Sequence, residues 1–91
     1  MKSVDEIRRA VEEKRRKREE LAMRISEFLK ANSHWAYTVE ELYDKFPEAF
    51  EYTPFGRIIV KLSMIGPLER YGVRIASVNG WTYLYYGGVE R

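Results

Sequence analysis

Three groups of side chains in this 91-residue chain are typed and spaced for contact with another molecule. Lys14-Arg15-Arg16-Lys17-Arg18 is an unbroken run of cations, able to attract phosphates whatever the sequence that carries them. Arg57 and Lys61 stand four residues apart; on one face of a helix, that spacing lets both reach base edges or phosphates. The third group is VRIASVNGWTYLYYGG, residues 73–88, where Arg74, Trp81, Tyr83 and Tyr85 alternate around Asn79-Gly80. Trp, Tyr and Arg dominate binding hot spots, and aromatic faces also stack on bases.

Other chemistries lack their residues. With no cysteine and a single histidine, His34, neither a thiolate site nor a recognisable metal-ligand spacing exists. No nucleophile elbow or phosphate-cradling glycine loop occurs. Glu12-Glu13 and Glu19-Glu20 flank the basic run and are expected to pair with it at helical spacing. The expectation is a protein that is not an enzyme and that uses no metal, cofactor or small-molecule ligand.

At 45% hydrophobic and 14% aromatic, the chain has the composition of one globular domain. No apolar run approaches ~18 residues and no signal-peptide pattern is present, so a cytoplasmic, non-membrane protein is expected. Glutamine is absent and Glu outnumbers Asp twelve to two, a bias typical of thermophile proteins. The net charge of +2 is unevenly spread. Ten basic residues face seven acidic ones in 1–32, three face five in 33–66, and three face two in 67–91.

The elements that must position these groups follow from local signals. Ser3, with Glu6 three residues on, opens a helix that nothing interrupts before about Ala31. Its second half carries a stripe of Leu21, Ala22, Ile25, Phe28 and Leu29. Its first half continues that phase only through Val4, Ile7 and Val11. A solvated extension, a dimerising helix pair and a basic arm along phosphates all fit that half. HWAYT, 34–38, allows only a bridging strand. Thr38 and Glu41 box the start of a second helix that buries Val39, Leu42, Tyr43 and Phe46, and Pro47 stops it. Thr53-Pro54 reads as the cap and first residue of a third helix over 54–65, PFGRIIVKLSMI, with Gly66-Pro67 as its stop. Asn79-Gly80 between two alternating runs predicts a two-residue β-hairpin.

In order, these elements resemble the winged helix-turn-helix family, including small archaeal and mobile-element modules. The likeness is carried by WAY before TVEELYDKF, then TPFGRIIVKLSMIG, then VRIASVNGWTYLYYG. The expected architecture is therefore α+β: three helices and a C-terminal hairpin wing over residues 21–88, preceded by a charged helical extension over 1–20. The resemblance implies a DNA-binding protein, a transcriptional regulator and homodimer, with helix 54–65 in the major groove of double-stranded DNA. Thr53, Arg57 and Lys61 would face the groove, and Arg74, Asn79, Gly80 and Trp81 would approach the flanking backbone. Lys14, Arg15, Arg16, Lys17 and Arg18 would add phosphate attraction.

On the wheel of 54–65, Phe55, Ile58, Leu62 and Ile65 share the face that should pack inward, with Ile59 beside them. Across the hairpin, Val73, Ile75, Leu84 and Tyr86 form the expected core side. Arg74, Ala76, Val78, Trp81, Tyr83 and Tyr85 form the other, suited to cross-strand packing, to a protein partner or to stacked bases. A protein-interaction module and an RNA or single-strand binder remain alternatives. The acidic second helix, with Glu40, Glu41 and Asp44, would repel phosphate if it faced a duplex.

Overall fold

The computed structural model describes residues 1–88. The chain is α+β, with three α-helices and two small antiparallel sheets among those residues. Helix α1 spans Val4–Ala31, and the Ser3 hydroxyl accepts the Glu6 N–H at 3.1 Å to start it. Its 28 residues extend ~42 Å at ~1.5 Å per residue, close to the 48 Å longest dimension of the molecule. Burial on α1 begins at Leu21; residues 4–17 are exposed throughout.

Strand β1 (Tyr37–Thr38) leads into α2 (Val39–Lys45). Thr38 and Glu41 form the reciprocal capping box, with Thr38 Oγ1 accepting from the Glu41 N–H and Glu41 Oε1 accepting from the Thr38 N–H. A single 3-10 turn, Pro47–Ala49, follows.

The next segment departs from the sequence expectation. Of residues 54–65 only 62–65 are helical. Phe50–Tyr52 (β2) and Ile58–Val60 (β3) pair antiparallel, with Phe50 opposite Val60 and Tyr52 opposite Ile58. Between them Thr53 caps no helix. Its N–H donates to the Arg57 carbonyl at 2.7 Å, and its carbonyl accepts the Gly56 N–H at 3.0 Å. Pro54 sits at the second position of a turn and Gly56 at the fourth, in the left-handed region at φ 78°. That is a three-residue hairpin loop with a glycine bulge, and the run Ile58-Ile59-Val60 is β-branched as a strand prefers. Arg57 and Lys61 thus bracket a strand and do not share a helix face.

Helix α3 is Leu62–Arg70 and runs through Gly66-Pro67, the expected stop. Gly66 has no Cβ to meet the proline ring, so the helix can continue, and Met64, Pro67 and Leu68 are buried by it. Phe55 and Leu62, expected inside, are 92% and 83% exposed. Helices α2 and α3 are therefore joined by a hairpin and not by a short turn.

Strands β4 (Val73–Val78) and β5 (Trp81–Tyr86) pair in the expected register, from Val73 opposite Tyr86 to Val78 opposite Trp81, and β1 adds to the far side of β5. Asn79 and Gly80 have φ of 51° and 82°, the double positive φ of a type I′ turn. Val73 and Leu84 are buried, with Ile75 and Tyr86 packed against the same cluster. That cluster joins Ile25 and Leu29 of α1, Leu42 of α2, and Met64 and Leu68 of α3. No helix among the described residues is long and apolar enough to cross a membrane.

Candidate nucleic-acid interface

The α-helix advances about 100° per residue, so five consecutive cations cannot point one way. Lys14, Lys17 and Arg18 of the basic run fall on one side, in line with Leu21 and Arg24. These five side chains line an open cavity of about 540 Å³. Arg15 and Arg16 point elsewhere and do not line it. The opposite wall comes from the junction of β3 with α3, through Lys61, Ser63 and Met64, and from Glu48 of the 3-10 turn. Lys61 is brought there by two backbone bonds. Its N–H donates to the Ala49 carbonyl at 3.0 Å, and its carbonyl accepts the Met64 N–H at 2.9 Å. No side chain caps the start of α3.

The cavity's charge is decided by what its cations lack. Lys14, Lys17, Arg18, Arg24 and Lys61 face the carboxylates of Glu20 and Glu48, an excess of three positive charges. Among the described residues only Lys17 of these is ion-paired, to Glu13 at 3.4 Å on an exposed surface where such pairs contribute little. Glu19, expected to neutralise the run, instead pairs with Arg70 of α3. The same carboxylate accepts a hydrogen bond from the Tyr71 phenol, which raises that phenol's pKa above its ordinary value; partial burial and the Glu19 charge add to the shift, and Arg70 opposes it. Glu40, Glu41 and Asp44 of α2 do not line the cavity. The result is a concave surface of net positive charge, where the field of fixed charges is concentrated.

The other expected site residues are dispersed. Thr53 is occupied by its turn, where Oγ1 accepts the Arg57 N–H at 3.1 Å. Arg57 Nη2 donates to the Gly80 carbonyl at 3.2 Å, so the two hairpin tips touch. Asn79 and Gly80 form the β4–β5 turn, and Trp81 is 54% exposed beside it. Arg74 lies five residues back along β4, roughly 16 Å from that turn at ~3.3 Å per residue. Its Nη2 donates to the Gly88 carbonyl at 3.0 Å. It therefore does not join the tip.

Three participants escape a reading of the sequence. Arg24 stands seven residues after Lys17, a spacing that could have revealed it. Glu48 and Ser63 reach the cavity only through tertiary docking. Helix α3 itself presents Leu62, Ser63, Gly66, Glu69 and Arg70 to solvent, and the one cation there is the partner of Glu19. Among the described residues no group of three His, Cys, Asp or Glu could hold a metal ion. No protein-family model matches this chain, and neither a curated protein nor a solved structure does.

Proposed function

We propose that this chain binds double-stranded DNA through its phosphate backbone, held in the cleft between α1 and the start of α3. The observation that carries the reading is the cavity lined by Lys14, Lys17, Arg18, Arg24 and Lys61 with only two carboxylates among them. The cleft's cations, in neutralising phosphates, would release the counterions condensed on the DNA, and that release drives association. The exposed face of α3 offers no free cation or amide for base edges, which favours general over sequence-specific binding.

The order of helices with a closing three-stranded sheet supports a winged-helix layout, here with the β2–β3 hairpin inserted before the third helix. On that layout rests the rest of the proposal: a transcriptional regulator acting in the cytoplasm as a homodimer. Val4, Ile7 and Val11 give a second copy an exposed apolar stripe on α1 to pair with.

A fluorescence-anisotropy titration of random-sequence duplex at several salt concentrations tests the reading. Lys14, Arg18, Arg24 and Lys61 would neutralise about four phosphates, so log K against log salt should fall with a slope of roughly −3 to −4. Absence of duplex binding at low salt would overturn it.

A further inference from the structure

Two hairpin tips meet in this molecule, and each carries an exposed aromatic side chain. Phe55 occupies the loop of the β2–β3 hairpin and Trp81 follows the turn of the β4–β5 hairpin. Their exposures are 92% and 54%. The Phe55 ring has no role within the fold that would account for its type at this position. Nor is its loop slack: the Thr53 N–H, the Gly56 N–H and the Arg57 N–H are all bonded within it, at 2.7, 3.0 and 3.1 Å. The bond from the Arg57 guanidinium to the Gly80 carbonyl then fixes one tip to the other. An aromatic ring held out on a pinned loop loses little freedom when something stacks on it.

The position of this tip relative to the basic cleft identifies what would stack. Arg57 and Lys61 flank β3, so the tip and the cleft wall lie roughly 13 Å apart along an extended strand. That distance is about four base-pair steps of a duplex axis. A duplex with its backbone in the cleft would bring bases, not phosphates alone, within reach of Phe55 and Trp81. Paired bases in an intact duplex offer these rings no free face.

We propose that Phe55 and Trp81, joined through Arg57, form a base-stacking tip that takes an unpaired base, so that the protein prefers duplexes interrupted by one. This rests on the phosphate-binding reading above. Every base has a π-face, so the preference is for an unstacked base of any sequence.

The test uses the full chain, a fully paired duplex, and the same duplex carrying one unpaired 2-aminopurine. The expected result is quenching of the 2-aminopurine and affinity at least about fivefold higher for the interrupted duplex, the low end for one base stacked on an aromatic ring. Phe55→Ala and Trp81→Ala should lose that preference while binding the paired duplex within about twofold of the parent. Phe55→Tyr should keep it and Phe55→Leu should not. Equal affinity for the two duplexes, or full retention by Phe55→Leu, overturns the stacking tip and leaves the cleft reading standing. Failure to bind either duplex overturns both.

Discussion

The Ser26 hydroxyl on α1 donates to the main-chain carbonyl of Tyr71, just past the end of α3, at 2.6 Å. Among the described residues Ser26 is the one buried polar side chain, 7% exposed, and the two residues lie 45 positions apart. A helix leaves its last carbonyls without intrahelical partners, and this one is satisfied by another helix. Ser26→Ala should therefore leave the carbonyl without its partner and destabilise the fold by about 1–3 kcal/mol. Urea unfolding of the two proteins checks it; a loss below about 0.5 kcal/mol would mean that water replaces the hydroxyl.

Gly72 and Gly80 share a left-handed backbone, at φ 85° and 82°, in very different surroundings. A Cβ on Gly80 meets nothing within 4 Å, whereas on Gly72 it would stand 3.0 Å from both the Gly88 carbonyl carbon and the Tyr86 ring. Gly80→Ala should cost only the conformational term, about 1–2 kcal/mol. Gly72→Ala should cost clearly more, because the obstacle includes main chain. Thermal unfolding of both variants gives the order, and equal losses would contradict it.

These features differ in how openly the sequence announces them. Asn79-Gly80 dictates both the turn and the register, so every pair from Val73–Tyr86 to Val78–Trp81 follows from two residues. Thr38 and Glu41 likewise act within one turn of chain. Thr53-Pro54 is ambiguous, because proline suits the first position of a helix and the second of a turn equally. What resolves it is Gly56 together with the pairing of Ile58-Ile59-Val60 with Phe50-Glu51-Tyr52, and the pairing exists only once both strands form. The docking of α3 depends on Met64 and Leu68 meeting the stripe on α1. That contact carries Lys61 to Lys14 and Arg18 across more than forty residues, so no local pattern could foretell the cleft.

Tyr71 gives the fold a dependence on alkaline pH. Its phenol is held above the ordinary 10.0 chiefly by its hydrogen bond to Glu19. The folded state thus favours the protonated form, and the stability this contributes is present below about pH 10. It is lost as pH rises through the higher folded-state value. Tyr71→Phe should flatten the decline in urea midpoint from about pH 10 upward, relative to the parent. An identical decline in both would show that Glu19 does not hold the phenol.

Val4, Ile7 and Val11 recur at heptad spacing on a stretch of α1 that is exposed throughout. An isolated helical stretch of this length is marginal in water. If a second copy covers the stripe, Ile7→Lys should convert a dimer to a monomer in sedimentation experiments and lower helicity over residues 4–17. A parent protein that is monomeric at micromolar concentration would remove the dimer from the proposal.

Geometry divides the cations of α1 into those that should matter for DNA and those that should not. Arg18 of α1 and Lys61 at the start of α3 both line the cleft, whereas Arg16 does not. Each phosphate contact removed lowers the magnitude of the salt slope by about 0.9. Arg18→Ala and Lys61→Ala should each weaken binding to random duplex and reduce the slope by roughly that amount. Arg16→Ala carries the same change in net charge, so it separates a site from a diffuse attraction. Its effect should be small, with the slope nearly unchanged. If all three variants lose affinity and slope equally, total charge governs binding and the cleft holds no particular phosphates.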